Sequence, residues 1–365
     1  MKRVLSGMGC GLVLMCLVAA VAPASAQTSA APADSAEVWY DKGFEFVQAG
    51  EMEQALAAFE NAIRLKPTYA EAWRGKGAAL AAMHRSAEGV AACDTAIMLD
   101  PTDWKAWSNK GGALVDMQRY ADALEAFNHA TEIEPKDGPT WSNKGATLMH
   151  LNRGDDALKA FDKAIKLDPD NDQLWMNKAA ALAQLGRTEQ MLAFLDQMIA
   201  AKPNDPQRWL TKALASGEVG KMDQAMTAFT RITEILPDSA IGWIGRAQAL
   251  ANMDSLEPAL ESIHRATTLA PGSPDAWNAQ GVICARMNRY DEAIAAYNKT
   301  IDLVPKFPGA WYDRACVYAL KGDKAAALTN LRRAVALDPT MKETARKDGD
   351  FKSLMDDTDF KALTE

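Results

Sequence analysis

The sequence is poor in the residues from which most catalytic and metal sites are built. Its 365 residues include four histidines, and no two of them have the spacing of metal ligands. It also lacks a glycine-rich loop followed by Lys-Ser or Lys-Thr, which excludes a phosphate-binding loop of that kind. The net charge of −8 is opposite in sign to the basic footprint of a nucleic-acid binder. We therefore expect a non-catalytic protein with no cofactor, no metal and no nucleic-acid partner.

Cysteine is scarce as well. After residue 26 only Cys93, Cys284 and Cys316 remain, and an odd, scattered set does not make a disulfide framework. We expect these three to be small, buried side chains that pack like apolar residues. Spacing alone leaves one alternative open, in which Cys284 and His264 act as a nucleophile and its base.

Long apolar runs are confined to the N-terminus. A basic start precedes an uncharged stretch from Val4 to Ala22, and Ala24-Ser-Ala26 has the small-x-small pattern of a cleavage site. This predicts a secretory signal peptide over residues 1–26 and a flexible linker over 27–35. The mature protein is then exported, to the extracellular space, periplasm or cell surface. The alternative is an uncleaved anchor, since the uncharged stretch approaches membrane-spanning length.

Aromatic residues make up only 7% of the chain, yet tryptophan is abundant and regularly spaced. Of the ten tryptophans, all but Trp104 form one series with a constant spacing of 34 residues. Its members are Trp39, Trp73, Trp107, Trp141, Trp175, Trp209, Trp243, Trp277 and Trp311. An unbroken period of this length predicts one array of nine repeats over residues 36–341, where length alone would suggest two or three globular domains.

Each repeat, counted from three residues before its tryptophan, has the pattern of a helix hairpin. Trp107, Gly111 and Leu114 fall on one face of a first helix, and Ala123 and Phe127 on one face of a second. The eighth residue is small in all nine repeats, which lets the two helices approach closely. The thirty-second is proline in all nine, which helps to end the second helix.

These residues resemble the W-x₂-L-G-x₂-Y…A-x₃-F…P pattern of the tetratricopeptide repeat (TPR) family. The resemblance implies an all-α fold, a right-handed TPR superhelix or α-solenoid whose first helices line the concave surface. The W-x-N-K-G variant at Trp107 and Trp141 is similar to that of exported TPR proteins of methanogenic archaea. Because an open array leaves its last apolar face bare, we expect residues 342–365 to form a C-terminal capping helix.

The sixth position of the repeats holds candidate binding residues. Asn109, Asn143 and Asn177 occupy it in three consecutive repeats. They resemble the asparagine ladder of the TPR region of O-linked N-acetylglucosamine transferases, which contacts peptide backbone. A carboxamide offers both a donor and an acceptor, so it can pair with a peptide group whatever the side chain. The alternative is that these asparagines lie on an exposed helix face and contact only solvent.

The seventh position is basic in eight repeats, including Lys110, Lys144 and Lys178. One interpretation is a basic line that attracts acidic or carboxylate ligands. The other is structural, with the aliphatic stems packed on a neighbouring helix and the charged heads at solvent.

Together these features predict an exported, non-catalytic scaffold or adaptor that binds a protein or extended peptide in a concave groove. Two alternatives stay open. One is a repeat protein that binds a small ligand or a glycan, or is weakly catalytic. The other is a structural protein that associates with itself. The identity of the partner and the oligomeric state are not encoded in any motif of the sequence.

Overall fold

A computed structural model describes residues 35–365, and over that range the chain is helical without any strand. The all-α prediction is therefore confirmed. The predicted signal peptide, and the linker up to residue 34, lie outside the described residues. None of the helices between residues 35 and 365 has both the length and the apolarity needed to cross a bilayer. The chain divides into two compact units, with the boundary between Met191 and Leu192.

The N-terminal unit consists of helix hairpins joined in sequence. Its helices are α1 (Ala36–Ala49), α2 (Met52–Leu65), α3 (Ala70–Ala82), α4 (Ser86–Leu99), α5 (Trp104–Asp116), α6 (Tyr120–Ile133), α7 (Gly138–His150), α8 (Gly154–Leu167) and α9 (Asp172–Gln184). The unit boundary falls inside the next helix, α10 (Thr188–Ala201). Within this unit the first helices of successive repeats, α1, α3, α5, α7 and α9, contact one another in turn.

The C-terminal unit continues the same hairpins and ends in a different segment. Its helices are α11 (Pro206–Glu218), α12 (Met222–Ile235), α13 (Ala240–Asn252), α14 (Leu256–Leu269), α15 (Pro274–Arg286), α16 (Tyr290–Leu303), α17 (Pro308–Leu320), α18 (Lys324–Leu337), α19 (Met341–Lys347) and α20 (Thr358–Thr364). A 3₁₀ turn, Gly349–Leu354, lies between the last two helices.

The tryptophan and proline of each junction are linked by a hydrogen bond. From Trp73 to Trp311, every tryptophan of the series donates its indole N–H to the carbonyl of the proline six residues before it, at 2.8–3.1 Å. Proline therefore does more than stop the second helix, because its carbonyl also anchors the first helix of the next repeat. This bond gives a physical reason for the constant six-residue spacing.

The small eighth residue makes room for an aromatic ring. A Cβ atom added to Gly111 would lie 2.7 Å from the ring of Phe127, and one added to Gly145 would lie 2.9 Å from Phe161. Both rings are fully buried. The close approach predicted from the small residues is thus an approach of backbone to ring, and a larger eighth residue would displace the core aromatic.

The turn inside each hairpin has one residue in the left-handed region of backbone space. This fifteenth residue has a φ between 57° and 83° in all nine repeats. It is glycine in four of them and another residue in five, namely His84, Gln118, Asn152, Asp254 and Asn288. A side chain is strained in this conformation, which glycine adopts without cost.

The C-terminal segment covers the last apolar face of the array, as a cap should. Phe351, Leu354 and Phe360 are buried in one cluster with Ala315 and Leu331 of repeat 9. We call residues 341–365 the cap. It is built from two short helices and a 3₁₀ turn, so its attachment depends on a few large side chains.

Candidate interaction surface on the first helices

The three predicted asparagines lie on consecutive first helices of the N-terminal unit. Asn109 is on α5, Asn143 on α7 and Asn177 on α9, and these helices contact in that order. Asn109 and Asn143 are half-buried, whereas Asn177 is only 8% exposed. The sixth position therefore forms one line, but its three members differ in how far they reach the surface.

A small pocket lies where α7 meets α9. It is lined by Pro139, Ser142, Asn143, Asn171, Gln173, Leu174 and Asn177. Its volume is about 10 Å³, the space that one water molecule needs. The pocket brings two of the predicted asparagines together and can hold a water or the tip of a polar group.

Asn177 is held by hydrogen bonds within the protein. Its Oδ1 accepts from Gln173 Nε2 at 2.9 Å, and its Nδ2 donates to Ser142 Oγ at 3.0 Å. Both ends of this carboxamide are thus engaged, and a peptide that used them would have to replace these bonds. In this structure Asn177 connects α9 to α7, while its role as a binding residue stays a prediction.

Three residues of the pocket were not singled out from the sequence. Ser142 joins the two helices through Asn177, Gln173 orients that carboxamide, and Asn171 caps α9 by accepting from the Gln173 amide at 3.2 Å. The signal available in the sequence was the polar pair Ser142-Asn143 on α7 and the polar Gln173 at the start of α9.

The polar character continues on α5. Ser108 and Thr140 join their hydroxyl groups at 2.9 Å between α5 and α7. We call Ser108, Asn109, Thr140, Ser142, Asn143, Gln173 and Asn177 the polar strip. It follows three neighbouring first helices and carries hydroxyl and carboxamide groups without a formal charge.

The predicted basic residues of the seventh position are paired inside the protein. Lys110 Nζ lies 2.6 Å from Asp94 on α4, and Lys178 Nζ lies 2.5 Å from Asp162 on α8. In both cases the carboxylate belongs to the second helix of the preceding repeat. Such a pair balances the lysine charge and links one repeat to the next, whereas the structural interpretation placed the charged heads at solvent.

Lys144 differs because the equivalent position on α6 is Asn128. Its Nζ lies 4.5 Å from the centroid of the Trp141 ring and donates to Thr131 Oγ1 at 3.3 Å. Burial lowers the pKa of Lys144. A cation over an indole face contributes about 0.5–1 kcal/mol at a partly exposed site. These contacts already engage the charged groups of Lys110, Lys144 and Lys178. The attraction of acidic ligands to the seventh position stays a prediction.

The cysteines lie in the core. Cys93, Cys284 and Cys316 are all free and buried. Burial raises the pKa of Cys284 to about 11 and that of Cys93 to about 12. A thiol in this state is protonated at neutral pH, which disfavours Cys284 as the nucleophile of the alternative with His264.

One group of cysteine and carboxylates meets at the cap. Ligand atoms of Cys316, Asp348 and Asp350 all lie within 4.8 Å of one another. Asp348 already accepts a hydrogen bond from the Tyr312 hydroxyl at 2.9 Å. We assign these groups no metal role.

Hairpins of two helices, repeated every 34 residues and joined by the same Trp–Pro bond, define a helical repeat protein of the α-solenoid class. The chain belongs to the tetratricopeptide repeat family. The profile of the cytochrome c-type biogenesis protein H TPR domain matches residues 132–240, and TPR repeat profiles match residues 43–83, 105–137, 281–322 and 308–341. TPR proteins are in general scaffolds for protein interactions.

Several solved structures are similar in fold at low sequence identity. MamA is 21% identical, with 45% of this chain and 96% of that chain covered and a TM-score of 0.41. PilF of Pseudomonas aeruginosa is 16% identical, with 59% and 96% covered and a TM-score of 0.45. Yeast Tom70 is 14% identical, with 90% of each chain covered and a TM-score of 0.43. No curated protein sequence matches this chain. The expected similarity to archaeal exported proteins stays a prediction.

Proposed function

We propose that this protein is an exported, non-catalytic TPR scaffold or adaptor that binds an extended segment of a protein partner along the polar strip. The observation that carries the proposal is the continuity of the strip. The first helices α5, α7 and α9 contact one another in that order and carry hydroxyl and carboxamide groups along one line.

The spacing of this line suits an extended peptide. Packed helices lie about 8–10 Å apart. An extended chain rises about 3.3 Å per residue, so each helix would meet roughly every third peptide residue. Carboxamides and hydroxyls pair with peptide groups regardless of the partner's side chains. The pocket between α7 and α9 provides one defined point where a carbonyl or amide group can replace a water.

Backbone contacts alone would bind weakly. Each hydrogen bond contributes about 1 kcal/mol net. Association costs about 4–15 kcal/mol before any contact is counted. The partner therefore needs side-chain anchors, and Pro139 and Leu174 supply apolar surface at the edge of the pocket. We expect a partner segment with an apolar side chain next to the peptide group that enters the pocket.

The proposal is tested by recovering partners from the native envelope fraction with full-length protein. The variant Asn109→Ala/Asn143→Ala removes two half-buried carboxamides of the strip, and we expect recovery of the specific partner to fall at least several-fold. Asn128→Ala, on the outer helix α6, is the matched control and should leave recovery unchanged. Equal recovery by all three proteins would contradict binding along the strip.

Export is proposed on the N-terminal sequence alone and has its own test. N-terminal sequencing of the protein from native cells should give Gln27 as the first residue, in a fraction outside the cytoplasmic membrane. An intact N-terminus in that fraction would favour the uncleaved anchor. Cytosolic protein with an intact N-terminus would contradict export.

The polar strip offers no enclosed site in which a glycan could bind. A pocket of about 10 Å³ cannot enclose a sugar ring, because ligand pockets usually span about 300 Å³ or more. The scaffold proposal does not need an enclosed pocket, since an extended peptide lies across helix surfaces.

A further inference from the structure

The C-terminal unit carries apolar side chains at repeat positions that are polar in the N-terminal unit. The fifth position is serine on α5 and α7, but it is Leu210 on α11 and Ile244 on α13. The second position is Gln173 on α9 and Ile241 on α13. The same repeat positions therefore have opposite chemistry in the two units.

These apolar side chains belong to three first helices that are neighbours. Helix α11 contacts α13, and α13 contacts α15. Leu210 and Leu214 pack on one buried cluster, which also contains Ala249 of α13. Ile244 and Val282 of α15 pack together on the next cluster. We call the following residues the apolar patch: Leu210, Leu214, Ile241, Ile244 and Val282.

The apolar patch is only partly covered by the protein. Ile241 is 59% exposed, and the other four side chains are half-buried. Leu210 and Leu214 are four residues apart and Ile241 and Ile244 three, so each pair lies on one face of its helix. Contiguous apolar surface on a folded protein often marks an interaction site.

Two carboxylates border the apolar patch. Glu218 follows Leu214 by four residues on α11, and Asp275 precedes Val282 by seven on α15, so each shares a helix face with a patch residue. Both carboxylates are exposed, and neither forms an ion pair with another described residue.

The basic residue on the same face of α15 does not offset these charges. Arg286 donates to Asp254 at 3.0 Å and to the carbonyl of Ala251 at 2.5 Å. Its charge is therefore balanced by Asp254. The apolar patch is left with a negative border, to which a positively charged partner is complementary.

A buried acceptor in the same region also lacks a donor. Asn278 lies on α15 between Asp275 and Val282, and its Oδ1 has no hydrogen-bond partner within the described part of the chain. Buried acceptors are usually satisfied. An N–H group from a bound partner, or a water that it holds, would supply the missing donor.

We propose that the apolar patch binds an extended segment of a protein partner, with apolar side chains at its centre and a lysine or arginine at each end. Three helices about 8–10 Å apart span about 16–20 Å, which an extended chain covers in about five or six residues. A second copy of this chain would bring its own Glu218 and Asp275 to the patch, so like charge disfavours that occupant. This surface lies in the C-terminal unit and does not depend on binding along the polar strip.

Fluorescence anisotropy with the full chain tests the chemistry of the partner. The probe is a labelled seven-residue peptide with leucine at its second, fourth and sixth positions, serine between them and lysine at both ends. The matched probe has glutamate in place of the two lysines. We expect the lysine peptide to bind at least about tenfold more tightly, because its ends match the negative border. Equal affinities, or no binding of the lysine peptide, would overturn the proposal.

Variants of the protein locate the binding surface. Ile241→Ser should weaken binding of the lysine peptide at least about fivefold, and it should not unfold the protein because the side chain is largely exposed. Met98→Ser, at a side chain of α4 that is 75% exposed, is the matched control and should change nothing. Glu218→Gln/Asp275→Asn should reduce the preference for lysine over glutamate ends to less than about twofold. Binding that Ile241→Ser leaves unchanged, or a preference that survives the double variant, would overturn the proposal.

One further variant separates this surface from the polar strip. Asn109→Ala/Asn143→Ala removes carboxamides of the N-terminal unit, so it should leave binding of the lysine peptide unchanged. Loss of peptide binding in this variant would place the peptide on the polar strip and overturn the proposal, whereas unchanged binding would hold even if the strip had no partner of its own.

Light scattering of the full chain tests the other occupants. We expect wild type and Ile241→Ser to have the same mass. A dimer that Ile241→Ser converts to a monomer would identify a second copy as the occupant and overturn the proposal. Peptide binding by the chain that starts at Gln27, but not by the full chain, would identify residues 1–26 as the occupant and overturn it as well.

Discussion

Asn177 and Asp313 occupy the same position in their repeats but have opposite surroundings. Around Asn177, Gln173 and Ser142 satisfy both ends of a neutral carboxamide. Around Asp313, burial and then the charges of Asp348 and Asp350 raise the pKa of the carboxyl group to about 7. The repeat places both side chains on the first helix, and the residues around that helix decide their chemistry. Equivalent repeat positions therefore cannot be assumed to share a function.

The largest expected effect comes from removing the ring at the centre of the cap. Phe351→Ala deletes the central ring of the cap, and we expect a loss of about 3–5 kcal/mol from the packing of the cap on repeat 9. Protection of residues 341–365 from hydrogen exchange should be lost first. Met98→Ala, at a side chain that is 75% exposed, is the control and should change stability by less than about 0.5 kcal/mol. Unchanged protection of the cap would contradict its dependence on this ring.

A second change tests the charge at repeat 9. Asp313→Asn should raise the unfolding free energy at pH 8 by about 1.4 kcal/mol for each unit of raised pKa that it relieves. The raised pKa of about 7 means that the ionised acid destabilises the folded protein above pH 7. The gain should therefore shrink as the pH falls from 7 towards 4 and vanish below it. Denaturant unfolding at several pH values measures this, and a gain that is equal at pH 8 and pH 4 would be inconsistent with proton linkage.

A third change tests whether Asn177 is structural. Asn177→Ala leaves Gln173 and Ser142 without their shared partner, and we expect a loss of about 1–3 kcal/mol in denaturant unfolding. Asn109→Ala, at a half-buried site of the same repeat position, should cost less than about 0.5 kcal/mol. Equal losses for the two variants would show that the hydrogen bonds of Asn177 add no stability.

The smallest expected effect concerns the turn inside a hairpin, where the backbone adopts the same left-handed conformation in all nine repeats. Gln118 has a φ of 58°, in the turn position that glycine occupies in four other repeats. Gln118→Gly should stabilise the protein by about 1 kcal/mol, because it removes a strained side chain. Gln197→Gly, in the interior of α10, should instead cost about 1 kcal/mol. Thermal unfolding of the two variants measures both signs, and a loss at Gln118 would argue against strain in this turn.

The fold was largely predictable because the repeat is a local property of the chain. The tryptophan period predicted nine helix pairs, and the small eighth residue predicted a close approach between them. The hydrogen-bond acceptor of each tryptophan could not be predicted in the same way. Trp107 donates its indole N–H to the Pro101 carbonyl. A spacing of six residues does not predict this bond unless the bend of the chain at the junction is known.

The candidate site was predicted only in part. Asn109, Asn143 and Asn177 were identified as one line, and the structure places them on contacting helices. The burial of Asn177 could not be read from its repeat position, because it depends on Ser142, 35 residues earlier in the chain. The same holds for Lys144, whose missing carboxylate partner reflects Asn128 on α6.

The period, the helix hairpins, the TPR family and the positions of candidate binding residues could all be predicted from the amino-acid sequence. These depend on residues close together in the chain, where spacing and backbone preference act directly. The ion pairs of Lys110 and Lys178 and the hydrogen bonds that hold Asn177 became known from the three-dimensional structure. Lys110, Lys178 and Asn177 each meet a partner from the preceding repeat, so a single repeat does not contain these contacts.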